Sequence, residues 1–255
     1  INAGVAEQNM TGIAAGMASE GYHVFTYSIA NFPLFRCAEQ IRNDIDYHNL
    51  SVTTVSVGGG LAYGNLGYSH HAVQDFSLMR SMPNILIASP GDPLEMGACL
   101  DYLIGNPQPS YLRINKSGEK NIHKLKPVLL PGYHQIIKNN ESADRLILTT
   151  GAVLESAIKI WESSEELMHK WSVGSLPLWG EAYRKTIHDH LKDYNRIDTI
   201  EEHLLSGDFG SFLLESGLNC RAHCLDVAVC GEVGTQDYLK NRFGFNSILR
   251  FGNNE

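Results

Sequence analysis

Residues 7–29 read EQNMTGIAAGMASEGYHVFTYSI and change backbone period partway along. In the first part Met10, Ile13, Ala14, Met17 and Ala18 recur at helical spacing. Gly12, Ala15 and Gly16 add small residues, so a helix over 7–20 can lie close against a neighbour. Residues 24–29 then read as a strand. The same succession continues outward. An amphipathic helix is predicted around 39–47. The β-branched run SVTTVSV at 51–57 follows and closes on Gly58-Gly59-Gly60. A helix near 73–80, a strand at 85–88, a helix over 93–104 and a strand at 110–114 complete the first unit. Strands separated by helices predict a mostly parallel, layered α/β sheet.

Residues 115–132 hold four lysines and two prolines with little periodicity, and read as a linker. Beyond them the alternation resumes. Strands are expected at 145–150, 171–176, 197–201 and 224–229, with helices at 153–161, 180–191 and 209–216. No internal repeat or low-complexity tract interrupts this pattern. The expected partition is therefore two α/β domains, 1–120 and a smaller 121–255.

Composition narrows the function classes. The 255 residues are 43% hydrophobic and 19% charged, a soluble globular balance long enough for two domains. The net charge is −8 and the basic residues are scattered, which excludes a nucleic-acid groove or an anionic membrane surface. No apolar run approaches the roughly 20 residues that span a bilayer. The chain opens at Ile1 without an initiator Met or a signal-peptide pattern, so its natural start is expected upstream. Five cysteines, Cys37, Cys99, Cys220, Cys224 and Cys230, are an odd number. They favour reduced thiols and a cytoplasmic setting. Cys220-Arg-Ala-His223-Cys224 reads as two thiols flanking a strand start rather than a metal clip, because no second ligand pair with zinc spacing follows. No metal ligand is assigned.

Four segments carry a family resemblance. Gly4-Val-Ala-Glu7-Gln-Asn-Met10 resembles the segment of the transketolase pyrimidine-binding domain that bears its catalytic glutamate. Tyr63-Gly-Asn-Leu-Gly-Tyr-Ser-His70-His71-Ala-Val-Gln-Asp75, followed by Arg80-Ser-Met-Pro-Asn84, is similar to the family's glycine-rich, histidine-bearing loop and the helix end after it. Pro90-Gly-Asp-Pro93 looks like a family strand exit. Thr199-Ile-Glu-Glu-His203 with Gly207-Asp-Phe-Gly-Ser211 resembles the family's C-terminal domain. The four lie in family order over nearly the whole chain.

The resemblance implies thiamine diphosphate as cofactor and Glu7 as the group that activates it. The cofactor's 4′-amino group must remove the proton from its own thiazolium C2. A carboxyl hydrogen-bonded to the pyrimidine N1′ favours the competent tautomer. A carboxyl at a strand-to-helix turn, facing an apolar ring pocket, is expected to have a raised pKa. Phe32 and Phe35 fall where the family places ring-stacking aromatics, and Arg36 joins them as a cofactor-site candidate. His70 matches the family histidine that reaches the reacting oxygens, a role suited to imidazole near neutral pH. His71 occupies a second polar position. Arg113 resembles the arginine that grips the substrate phosphate through its bidentate fork.

Departures from the pattern matter too. Gly58 and Asn65-Leu66 stand where transketolases proper carry a histidine and acidic residues, so the implied substrates are not the ordinary pentose phosphates. The family's Gly-Asp-Gly…Asn pair, which holds Mg²⁺ and the diphosphate, is absent; Gly91-Asp-Pro and Gly207-Asp-Phe lack the third glycine. A hard Mg²⁺ ion wants an octahedron of oxygens, and no local cluster supplies one. The implied form is a split enzyme, with a diphosphate-binding partner chain and a homodimer core inside a heterotetramer. Small sugars or sugar phosphates are the implied substrates. Rival readings are a 2-oxo acid dehydrogenase β subunit, a deoxyxylulose-phosphate synthase, or a non-catalytic scaffold subunit that kept the fold.

Overall fold

The computed structural model describes residues 1–244. An irregular segment, not a strand, leads into α1 (Glu7–Ser19), whose Ala14, Ala15 and Ala18 are buried. β1 (Val24–Ile29) follows, then α2 (Phe32–Phe35) and a single turn α3 (Ala38–Gln40) that widens into a π-helix over Ile41–Asp46. β2 (Val52–Val57), α4 (Asp75–Met79), β3 (Leu86–Ala88), α5 (Pro93–Gly105) and β4 (Ser110–Ile114) complete the first layer. Four parallel strands lie in the order β1-β2-β4-β3, with Val24 opposite Val52, Val55 opposite Leu112 and Leu86 opposite Ser110. β4 is therefore flanked by strands on both edges, and Tyr111, Leu112 and Arg113 are buried.

The second sheet is built from β5 (Gln135–Lys138), β6 (Arg145–Thr149), α6 (Leu154–Glu162), α7 (Glu165–Lys170) and β7 (Trp171–Ser175). After it come β8 (Leu178–Trp179), α8 (Arg184–Leu191), β9 (Arg196–Leu204), α9 (Phe209–Glu215), β10 (Cys220–Leu225) and α10 (Gln236–Phe243). Its order is β10-β9-β6-β7-β5, parallel except for β5. Both sheets are thus mostly parallel and flanked by helices. β8 leaves the second sheet's neighbourhood and pairs antiparallel with β3, placing Ile87 opposite Trp179. Trp179 is fully buried and meets Phe76, Phe209 and Phe212 at ring distances of 5.0–5.2 Å, so one apolar cluster joins the two layers.

The linker is held rather than loose. Asp92 caps α5 by accepting from the Glu95 N–H, and its other oxygen accepts the Ile122 and His123 N–H groups at 2.7 Å each. The strand expected at 224–229 needs correction. Among the described residues the last strand starts at Cys220, four residues earlier than expected, and 227–231 is a 3₁₀ turn capped by Asp226. The residues of the Cys220–Cys224 stretch have their own partners: His223 Nε2 sits 2.7 Å from Asp198 and the Cys224 thiol donates to Asp208. Glu201, Asp208 and Cys224 bring ligand atoms within 4.8 Å of one another. Glu201 is committed there as a cap, accepting from the Phe209 and Gly210 N–H groups and the Thr199 hydroxyl.

Candidate active site

Three of the expected residues, Phe32, Phe35 and Arg36, line one cleft, and Glu7 and His70 contact them. α1 begins at Glu7, and its first-turn position brings the carboxyl to the exposed N-terminal end of the helix. Arg36, just past α2, reaches back so that Nη1 donates to Glu7 Oε2 at 2.7 Å. The Arg36 guanidinium also lies 5.3 Å from the Phe32 ring centre. Phe32 meets His70 edge-on at 5.2 Å. Phe32, Phe35 and Arg36 line a cleft of ≈ 320 Å³ together with Asn31, Tyr68, Ser69 and Gln74. His70 stands on a 3₁₀ turn (Tyr68–His70), and its Nδ1 is 2.9 Å from the Ser69 hydroxyl.

The loop bearing His70 has a fixed base. Gly60 and Ala72 pair as an isolated antiparallel bridge. Gly60 has φ +65, and a Cβ there would come 2.5 Å from the Glu202 carboxyl carbon. Only glycine allows that approach. Glu202 Oε1 in turn accepts from the Leu61 N–H and from Gln236 of α10, while Oε2 pairs with Lys240 at 2.9 Å. The second layer therefore braces the loop from beneath.

Three expectations about this site are corrected. The Glu7 carboxyl lies below the usual carboxylate range: its own backbone N–H holds the charged form, burial opposes this, and Arg36 tips the balance further. In the free chain it is an ionised partner of Arg36, not a carboxyl raised by an apolar pocket. His71 is 1% exposed, with Nε2 3.4 Å from the Gly64 carbonyl oxygen, and burial pushes its pKa down. It is a buried support of the loop. Arg113 is also buried. Its Nε donates to Asp75 at 2.6 Å and its Nη2 to the Ala72 carbonyl at 2.9 Å, with the guanidinium 4.5 Å from the Phe76 ring. Because β4 is a central strand, this side chain is buried and bound to Asp75 and Ala72.

Two residues near the cleft escaped the sequence reading. Lys116, exposed just beyond β4, holds its ammonium 4.5 Å from the Tyr63 ring, and Tyr63 faces His70 at 6.5 Å. Its signal was available: it is a cation on the strand's exit, past the last residue paired in the sheet. Asn31, at the exit of β1, is the second.

The ion pair at Glu7 gives a first prediction. A depressed carboxyl contributes stability that is present above its unfolded pKa and lost as pH falls through the folded value. Arg36→Ala should move the Glu7 titration, followed by carboxyl ¹³C NMR, upward toward the ordinary range. Arg36 has a side chain 49% exposed, so the stability change should stay within about 1 kcal/mol. An unmoved titration would refute the pairing.

Comparison with known proteins places these features in context. Residues 1–119 match the family described as transketolase, pyrimidine binding domain. The chain is 29% identical over 217 residues to an apulose-4-phosphate transketolase subunit of Actinobacillus succinogenes, spanning 84% of this chain and 68% of that protein. It is also 29% identical over 257 residues to the 6-deoxy-6-sulfo-D-fructose transketolase subunit SqwH of a Clostridium species (strain MSTE9), spanning 97% and 77%. Among solved structures, a split gene transketolase described as an inactive beta4 tetramer superposes with a TM-score of 0.79 over 98% of this chain and 81% of that one, at 24% identity. That likeness is one of fold, and it extends over both sheets.

Proposed function

We propose that this chain, whose residues 1–119 match the transketolase pyrimidine-binding domain family, is the ring-gripping subunit of a two-chain, thiamine-diphosphate-dependent transketolase. It transfers a two-carbon ketol unit from a ketose to an aldose. The observation that carries this reading is a cleft lined by Phe32, Phe35 and Arg36, with Glu7 bound to Arg36 and His70 against the edge of Phe32.

The residues present fit the cofactor's ring. A cleft of ≈ 320 Å³ bordered by two phenyl rings is of a size for a planar heterocycle. Glu7 is oriented by Arg36 before any ring arrives. When bound, thiamine diphosphate supplies the electron sink that lets the bond beside a ketose carbonyl break. Glu7 holds a proton at the ring nitrogen, and Phe32 and Phe35 cover the ring and exclude water. His70 moves protons at the substrate's oxygens. The anionic-anchor role first given to Arg113 passes to Lys116, whose ammonium is exposed beside Tyr63. Two relatives are named for sugars with an anionic end, a phosphate and a sulfonate. A compact ammonium suits either.

The diphosphate and Mg²⁺ fall to a partner chain in this reading, which is supported by relatives named as transketolase subunits and by a split gene transketolase of the same fold. Exposed Val5 and Ile13 on the Glu7 side, with Phe25 and Tyr27 on the open edge of β1, offer apolar surface for such an assembly. The proposed form is a heterotetramer around a homodimer core, active only when both kinds of chain are present. The five free cysteines accord with a cytoplasmic setting.

Donor preference tests the reaction class. The chain combined with its diphosphate-binding partner, thiamine diphosphate and Mg²⁺ should use hydroxypyruvate to extend an aldose by two carbons. Turnover of pyruvate in preference to hydroxypyruvate would overturn the ketol-transfer assignment in favour of a synthase or dehydrogenase.

A further inference from the structure

Asn31 lies between β1 and α2 with φ +79 and ψ −47, close to the γ-turn region that residues other than glycine rarely adopt. Such a conformation costs about 1–3 kcal/mol and persists only where the surroundings enforce it. The side chain shows what enforces it. Nδ2 donates to the His71 carbonyl at 2.8 Å and to the Ser69 carbonyl at 3.3 Å, the two carbonyls on either side of His70. Both partners are acceptors, so the amide nitrogen and not its oxygen must face them. The Asn31 Oδ1 is buried and has no hydrogen-bond partner among the described residues.

The backbone kink acts in the other direction. It turns the chain from β1 into Phe32, whose ring edge meets His70 at 5.2 Å and whose face carries Arg36. The 3₁₀ turn bearing His70 is short and follows Gly67 at φ +76, so its own hydrogen bonds are few: His70 N–H to the Gly67 carbonyl and His71 N–H to the Tyr68 carbonyl. A tie from another element is what such a turn needs to hold one position.

We propose that Asn31 is a positioning residue that sets the placement of His70 against Phe32 by clamping the two carbonyls flanking the histidine. The proposal rests on the reading of His70 as a proton carrier, and its test separates the two. Asn31→Gly keeps the positive φ without strain and removes only the amide. Asn31→Asp keeps the size and replaces the donor with an acceptor.

In the full chain, amide hydrogen exchange at His70 and His71 should rise about tenfold in both variants. The melting temperature of Asn31→Gly should stay at or above that of the unaltered chain. In the complex with the partner chain, kcat should fall by about 100-fold with KM moving much less, since misplacement of a reacting group by 1 Å costs on that order. A purely structural role would lower the melting temperature and leave kcat alone. Unchanged exchange at His70 and His71 would overturn the clamp whatever the activity. Raised exchange with kcat within twofold of the unaltered complex would overturn the positioning role. Full turnover by His70→Ala would instead defeat the reading of His70, while the exchange result still decides the clamp.

Discussion

Glu7→Ala in the assembled enzyme is expected to lower kcat by about 10²–10⁴-fold, the range that a positioned proton-transfer group supplies. The chain itself should fold normally. Glu7 contributes a first-turn charge to α1 and an ion pair with the half-exposed Arg36, each worth about 1 kcal/mol or less. Activity and stability therefore separate cleanly at this position. Glu7→Gln should be almost as damaging, because an amide can accept and donate hydrogen bonds but cannot hand over a proton. Cofactor affinity should change far less than kcat in either variant, since Phe32 and Phe35, which line the cleft, would cover the ring and the carboxyl would not. A scaffold subunit that only kept the fold would give the opposite pattern, with the complex working at full rate without the Glu7 carboxyl. That outcome would end the catalytic reading.

The lowered Glu7 pKa sharpens this expectation. In the free chain the carboxylate is held charged by its own N–H and by Arg36, so it is not preloaded with a proton. Two events on assembly would reverse that: a ring nitrogen taking the place of water, and the exclusion of water from the cleft, which penalises charge. Arg36, itself on the cleft, thus holds the carboxyl in place until both happen. The free chain is expected to bind the cofactor poorly.

Strand and helix alternation was legible because period and β-branching are local properties. β1 and β4 have the bounds their composition predicts. What failed was set by tertiary contact. β8 is two residues long and exists as a strand through its pairing with β3. α10 buries only Leu239 of its eight residues, too thin a stripe to announce a helix. The expected helix over 39–47 became a π-helix, which periodicity cannot distinguish from an α-helix. The site divides the same way. Glu7, Phe32, Phe35, Arg36 and His70 were named from motif; Phe32, Phe35 and Arg36 line one cleft, and Glu7 and His70 touch that lining through Arg36 and Phe32. Arg113 and His71 were named from the same kind of resemblance, but residue type says nothing of depth, and both are buried. Asn31 had a weak signal, an asparagine at a strand exit two residues before a proline, where positive φ is tolerated.

Arg113 carries the second large prediction, one of stability. Asp75 opens α4 and is fully buried; one of its oxygens accepts from Arg113 and from the Tyr111 hydroxyl at 2.6 Å each, and the other lies 3.6 Å from His203 of β9. His203 stacks on Phe76 at 5.3 Å, and Phe76 carries the Arg113 guanidinium. One carboxylate therefore joins β4, α4 and β9, across the two sheets. Asp75→Ala leaves a buried guanidinium without its counter-charge and should cost about 3–5 kcal/mol in chemical denaturation. Arg113→Met alone should cost a comparable amount by stranding the carboxylate. The double variant Asp75→Leu/Arg113→Met removes both charges together, so its loss should fall well short of the sum of the singles. Arg113→Lys separates this role from a substrate contact. A lysine keeps the charge but loses the fork that reaches both Asp75 and the Ala72 carbonyl, so stability should fall even before any substrate is added. If Arg113→Lys instead leaves the denaturation midpoint untouched and raises only KM for an anionic sugar, the side chain must swing out to the substrate, and the closed network around Asp75 is not its working state.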